Sequence, residues 1–365
     1  MFRKADEPRP ASRQQARLSI GVLTFHRCIN YGSYWQARCL VEGLRARGHD
    51  AVLLDHVDPD VRRTEWRCAL QPLLPRRSSR ADIRRYAIKT RRMEAAIAGL
   101  PLSAPFPLSA PEAMARCDLV IVGSDEVWNF AHPWYGGRRI FFGEGVPAPR
   151  IASYAASFGN HDAAAGIAPG QAQGLDRFAA ISVRDDNSQQ LVKAALGEGP
   201  PLVLDPCLQF PPRIAPLAGQ PAYAAVYGHG FPQGFGTAAR EWAAARSLRL
   251  VSIGYRNDWA DENRLEAGPH EFAAAMAGAA AVLTTFFHGC VFALLNDKPF
   301  ACAPSPYRMN KVRDLTRAVD AGRHLLPDGD FALAKALDAP LSPAIHDAIA
   351  RLREQSDRYL DAILA

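Results

Sequence analysis

Leu18-Ser19-Ile20-Gly21-Val22-Leu23-Thr24 is an apolar, strand-like run, and the segment behind it decides the fold. A short polar turn with His26, Arg27, Asn30 and Gly32 leads into a helical pattern from Ser33 to Arg47. Gly48 stops that helix, and Ala51 to Asp55 reads as the next strand. Strand, helix and strand in this order make a β-α-β unit, so the first sheet is expected to be parallel. Asp118 to Val122 continues the sheet and ends at Gly123-Ser124-Asp125, while Ile151 to Ala155 runs into Ser157-Phe158-Gly159. Both polar turns fall at carboxyl ends of strands, where open α/β sheets place their ligands.

A second strand series follows: Ala180 to Val183, Leu202 to Leu204, Ala222 to Tyr227, Leu248 to Ile253, Ala280 to Thr284 and Pro299 to Cys302. Helical patterns such as Ala238 to Ala245 and Glu271 to Ala277 separate most of them. A second α/β domain is therefore expected to begin near residue 175, with the Gly- and Ala-rich stretch from Ala163 to Gly174 as the junction. Ser342-Pro343 then starts a last helix, with Ile345, Ile349, Leu352, Tyr359, Leu360 and Ile363 as its apolar stripe. The expected organisation is a disordered tail over 1–17, domains over 18–175 and 176–340, and an amphipathic helix over 341–365. The polar start, with Arg3, Lys4, Pro8, Pro10 and Arg13, lacks the apolar core of a signal peptide.

Of the 365 residues 48% are hydrophobic and 22% charged, which places the chain among folded globular proteins rather than disordered ones. No apolar run approaches the ~20 residues that span a bilayer. Seven cysteines without a C-x-x-C pair are expected to be reduced thiols in the cytoplasm, with no metal site. The net charge of +6 is uneven: eleven Lys or Arg residues lie between Arg62 and Arg92, against only Glu65 and Asp82. This segment is either a solvated arginine-rich surface or one that meets anionic material, such as an acidic membrane face or a phosphate-linked substrate. No nucleic-acid motif accompanies it, so no nucleic-acid partner is expected.

The sequence lacks G-x-G-x-x-G, Walker A and H-E-x-x-H motifs, against dinucleotide, nucleoside-triphosphate and zincin chemistry. Thr284-Thr285-Phe286-Phe287-His288-Gly289 joins a strand to a helix, with His288 where helix amides point outward. A histidine there helps hold a phosphate or carboxylate and moves a proton, or else is simply satisfied inside the turn. Gly123-Ser124-Asp125-Glu126-Val127-Trp128-Asn129 is polar at a strand end, although Ser-Asp is also an ordinary helix cap. Arg184 follows a buried-looking strand and either pairs with Asp185 or Asp186 or presents its fork to an oxyanion. Asp205 in Leu204-Asp205-Pro206 reads as a structural turn residue.

In order along the chain, these motifs resemble the polysaccharide pyruvyl transferase family, from about Leu18 to Leu315. Its carriers are Leu23-Thr24-Phe25-His26 with Asn30-Tyr31-Gly32 and Gln36, the Gly123 to Asn129 stretch, and Ser153-Tyr154-Ala155-Ala156-Ser157-Phe158-Gly159. Ile181-Ser182-Val183-Arg184, Leu204-Asp205-Pro206 and Phe287-His288-Gly289 complete the set. The resemblance implies two Rossmann-like domains facing a cleft, similar to GT-B glycosyltransferases. It also implies transfer of the enolpyruvyl unit of phosphoenolpyruvate onto a sugar as a pyruvate ketal, in cell-surface or exopolysaccharide biosynthesis. Phosphoenolpyruvate is then a donor substrate, and no cofactor is expected.

By the same resemblance Arg184 and His288 would hold the donor in the C-terminal domain. Asn30, Tyr31, Gly32, Ser124 and Asp125 would face it from the other. His288, Asp125 and Glu126 are the expected catalytic groups; Asn129, Ser157, Phe287, Gly289, Arg308 and Lys311 complete the expected binding set. Some family members carry arginine two residues before the histidine, where this chain has Phe286; either Arg308, Lys311 or Arg313 replaces it, or this branch uses a different donor or has lost catalysis. The implied acceptor is a nucleotide- or lipid-linked saccharide, met in the cytoplasm or at the inner membrane face. Two other readings remain: a GT-B glycosyltransferase with a nucleotide-sugar donor, and an inactive saccharide-binding relative.

Overall fold

The computed structural model describes residues 16–365 except 217, 218, 328 and 330. The expected tail, through residue 15, lies outside the described residues. The strands are β1 (Ser19–Leu23), β2 (Asp50–Leu53), β3 (His56–Val57), β4 (Phe106–Pro107), β5 (Leu119–Val122), β6 (Arg150–Ser153), β7 (Tyr223–Tyr227), β8 (Arg249–Ile253), β9 (Glu262–Arg264), β10 (Ala281–Thr284) and β11 (Phe300–Cys302). They form one parallel sheet in the order β2-β1-β5-β6, a second in the order β11-β10-β7-β8-β9, and a short β3-β4 ladder. Every residue of β5, β7 and β10 is buried, which is why these strands read as continuous apolar runs instead of alternating ones.

The strand order reverses once in each sheet, between β1 and β5 and between β7 and β10. A crevice opens at such a reversal, because the connections on its two sides leave in opposite directions. The turn after β1 carries Asn30, the turn after β5 carries Asp125, and the helix that follows β10 carries His288 near its start.

The boundary expected near residue 175 is displaced. Ala180 and Val183 bridge to Ala152 and Ala156, and Leu202 bridges to Val183, so this stretch extends the first sheet. The second sheet starts only at Tyr223. Short apolar runs declare strand character but not which sheet they join, and the Ala163–Gly174 stretch is an internal connection of the first half. Arg184, expected in the second domain, therefore projects from the edge of the first.

The halves are packed together. Tyr31 opens the helix Tyr31–Ala46, stacks on Phe272 at 4.3 Å and donates its hydroxyl to the Ala267 carbonyl at 2.5 Å. Trp35 Nε1 donates to the Pro269 carbonyl at 3.0 Å. The arginine-rich helix Arg80–Ala98 also faces the second domain: Arg256 forks onto Asp82 at 2.6 and 2.7 Å, and Arg85 reaches Glu266 at 2.6 Å. Part of the basic segment thus serves the domain contact. The last helix, Pro343–Leu364, returns to the first half, where Tyr359 donates to the Ser153 carbonyl at 2.6 Å and Arg47 meets Asp361 at 2.7 Å.

Candidate active site

A cleft of about 360 Å³ opens between the two strand-order reversals. Asn30, Asp125, Glu126 and Arg184 line it from the first half, and Phe287, His288, Arg308 and Lys311 from the second. Asn30 caps its helix by accepting from the backbone N–H groups of Gly32 and Ser33, and the helix start in turn aims Ser33 at Asp125.

Asp125 has φ 80°, a left-handed conformation that a residue with a side chain adopts at a cost. Its Oδ2 accepts from Ser33 Oγ at 2.8 Å, and its Oδ1 from the Glu126 N–H at 2.9 Å and from Arg184 at 3.3 Å. Burial alone would raise its pKa, but the charges of Arg184 and His288 and the Ser33 hydrogen bond together hold it below the usual carboxylate value. Local sequence offered a helix cap here; instead Asp125 bonds to Ser33 and Arg184 on its own side of the cleft.

Arg184 is not free to clamp a ligand with its whole fork. Its terminal nitrogens donate to Asp125 at 3.3 Å, to Asp205 at 3.2 Å and to Ser124 Oγ at 3.3 Å, and the guanidinium lies 4.6 Å over the Phe287 ring. Its Nε alone is buried without a partner. Neither Asp185 nor Asp186 is its partner: Asp185 caps the next helix through the Ser188 N–H at 2.7 Å.

Asp205, read as a turn residue, is both a cap for Cys207 and the link between Arg184 and His288, whose Nε2 lies 3.5 Å away. Against the burial that would raise it, His288 and Arg184 bring the Asp205 pKa down to about 2. Sequence gave no signal for this role, since its partners stand 21 and 83 positions away. Asp205, Cys207 and His288 offer potential metal ligands within 4.8 Å of one another. The Arg184 cation on Asp205 opposes a second cation there, and burial pushes the Cys207 thiol far above its ordinary value.

His288 is the second residue of the helix Phe287–Leu295, as the sequence pattern implies. Its Nδ1 edge rests on Gly32, and its Nε2 is buried without a hydrogen-bond partner. Beside it Glu126 pairs with Lys311 through a short Nζ to Oε1 contact and accepts from Asn129 Nδ2 at 2.8 Å. Burial favours the neutral Glu126, yet the Lys311 charge keeps its pKa low. Arg308 lies 4.5 Å over the ring of Phe286 and bonds Ser305 Oγ at 3.0 Å, with no carboxylate partner among the described residues. Of the three expected replacements for a cation at position 286, Arg308 is the one that lies over the Phe286 ring.

Six expected site residues stand behind the cleft wall instead of on it. Tyr31 is consumed by the domain contact, Gly32 makes room for His288, and Gly289 packs against Thr284. Ser124 supports Arg184, Asn129 supports Glu126, and Ser157 Oγ accepts from the Gly159 N–H at 2.9 Å. The sequence pattern marks these turns but not which side chains face outward.

Among solved structures, a protein assigned as a UDP-N-acetylglucosamine 2-epimerase from Listeria monocytogenes aligns at TM-score 0.50 and 13% identity, over 95% of this chain and 96% of that one. ADP-heptose lipopolysaccharide heptosyltransferase II from E. coli aligns at 0.38 and 12%, over 93% and 99%. A variant of the Thermobaculum terrenum O-GlcNAc transferase aligns at 0.43 and 14%; 98% of this chain is covered, and the chain spans 66% of that protein's length. No curated protein matches the sequence. The fold is α/β, two Rossmann-like domains facing a cleft in the GT-B manner. The family described as polysaccharide pyruvyl transferase matches residues 30–304, and the chain belongs to that family.

Proposed function

We propose that this transferase moves the enolpyruvyl unit of phosphoenolpyruvate onto a sugar and closes it to a pyruvate ketal. The observation that carries the reading is the charge layout: ionised Asp125 faces His288 across a cleft that also holds Arg308, a cation without a carboxylate partner. Phosphoenolpyruvate brings a phosphate and a carboxylate, and its methylene carbon must gain a proton before the neighbouring carbon accepts a nucleophile. Asp125 takes the proton of the attacking hydroxyl, with Glu126 and Lys311 fixing the charge behind it. A second hydroxyl displaces phosphate, the C–O bond breaks, and His288 serves the departing oxygens. The first hydroxyl proton is matched by the one that makes the methyl group, and the second leaves with phosphate.

A second cavity of about 720 Å³, lined in part by Trp66 and Val61, shares Ile29 and Glu65 with the cleft and offers room for the rest of a saccharide. We further read the acceptor as nucleotide- or lipid-linked, serving cell-surface polysaccharide assembly at the cytoplasmic face of the membrane. No helix among the described residues is long and apolar enough to cross a membrane. Arg77, Arg80, Arg84 and Arg91 are exposed beside Leu74 (56%) and Ile88 (41%), a surface suited to anionic headgroups. Incubation with phosphoenolpyruvate and a panel of free, nucleotide-linked and lipid-linked sugars, read by mass spectrometry, tests the reaction. A pyruvylated product supports it; none across the panel, with phosphoenolpyruvate intact, contradicts it.

A further inference from the structure

Lys89 sits in the middle of the arginine-rich helix Arg80–Ala98, yet it is only 4% exposed and lines the cleft. Its ammonium lies 4.6 Å from the ring centre of Tyr31 and 4.4 Å from that of Tyr255, and donates to the Gly254 carbonyl at 3.1 Å. An ammonium has three N–H donors, and this is the one protein hydrogen bond it makes among the described residues. No acid pairs with it there, and burial pushes its pKa down to about 7. A buried cation without a counter-charge is costly unless something supplies one.

The same wall carries Arg308 on the Phe286 ring. Phe286 in turn meets Tyr255 at 5.2 Å and His229 at 5.3 Å, so a continuous aromatic shelf joins the two cations. His229 is pushed down to about 4 by burial, then by the charges of Arg308 and Lys89. It therefore stands neutral between them. The carboxylates of the cleft are engaged elsewhere: Asp125 with Ser33 and Arg184, Glu126 with Lys311, and Glu65 with Trp134 Nε1 at 2.8 Å and the Ile29 N–H at 3.1 Å.

We propose that Lys89 and Arg308 form a cationic subsite across the shelf of Tyr255, Phe286 and His229 that takes a phosphate monoester dianion. In the reaction read above, on which this identification of the ligand rests, that dianion is the phosphate of phosphoenolpyruvate. Lys89 comes from the first half and its carbonyl partner Gly254 from the second, so the anion binds where the halves touch.

Titration calorimetry on the full chain and on Lys89→Met and Arg308→Met, with phosphoenolpyruvate, inorganic phosphate and uridine diphosphate, tests the subsite. Wild type is expected to bind phosphoenolpyruvate and phosphate in competition, and each substitution to weaken both by roughly tenfold or more, the worth of a charged hydrogen bond. Lys89→Met is expected to melt no lower than wild type, because an apolar chain of similar length replaces an unpaired charge. Should it fold poorly, Arg308→Met, on a partly exposed side chain, decides. Unchanged phosphate and phosphoenolpyruvate affinity in the folded variants, or no phosphate binding by wild type, overturns the subsite even if pyruvyl transfer occurs. Uridine diphosphate binding tighter than phosphoenolpyruvate, and lost in the same variants, keeps the subsite and overturns the pyruvyl reading.

Discussion

Gly32 of the first half and His288 of the second approach so closely that a Cβ on Gly32 would stand 2.0 Å from His288 Nδ1. No L side chain fits there without moving the imidazole. Gly32→Ala should therefore cost about 1–3 kcal/mol of stability through overpacking. If His288 acts as proposed, it should also lower kcat by roughly a hundredfold through misplacement of that ring. Melting temperature and steady-state kinetics check the two effects, and wild-type turnover in the variant would remove His288 from the mechanism.

Asp205 sets an acid limit on the fold. Its native pKa of about 2 lies below the ordinary value of 3.8, so the unfolded chain binds its proton first as pH falls. The stabilisation is complete above about pH 4 and is lost progressively as pH falls through about 2. Asp205→Asn leaves the buried Arg184 with one carboxylate fewer and should destabilise by about 3–5 kcal/mol at neutral pH. It should also flatten this acid branch, as denaturant melts across pH would show.

Lys89 gives the same sign in a higher pH window. Its native pKa of about 7 lies below the ordinary 10.5, so between these values the unfolded chain holds a proton that the folded one has released. Stability should rise with pH across that window, and Lys89→Met should abolish the rise. A wild-type stability curve that is flat or falling between pH 7 and 10 would show that burial does not depress the Lys89 pKa.

Asp125 and Glu126 are adjacent but unequal. Asp125→Asn removes the acceptor for the hydroxyl proton and should reduce kcat by roughly a hundredfold to ten-thousandfold with little change in donor affinity. Glu126→Gln frees Lys311 and should act mainly on binding. Equal losses of kcat in both variants would assign the base to neither one alone.

The exposed stripe of Arg80, Arg84 and Arg91 should carry membrane contact. Replacing all three by glutamate is expected to abolish co-sedimentation with phosphatidylserine vesicles at low salt while leaving turnover on a soluble acceptor intact. Retained sedimentation would place the contact elsewhere.

The Leu18 to Asp55 unit and the strand before His288 were legible because parallel strands buried on both faces leave long apolar runs between polar turns. Asp125, Glu126 and His288 were legible because they follow such runs directly. Lys89 was not: eleven cations between Arg62 and Arg92 look alike in sequence. Only the approach of Gly254 and Tyr255 from the other half buries this one. The double pairing of Arg184 was hidden for the same reason, since Asp125 and Asp205 reach it through tertiary structure. Tyr31 carried a family motif but lies in the contact between halves, a distinction that depends on side-chain direction and not on residue type.

The most direct measurement of the central claim is the product made from phosphoenolpyruvate and an acceptor sugar in D2O, read by NMR and phosphate release. The account predicts one inorganic phosphate per ketal and one deuterium in each ketal methyl group, with both signals lost in Asp125→Asn. Transfer of a sugar from a nucleotide donor, with phosphoenolpyruvate untouched, would contradict it.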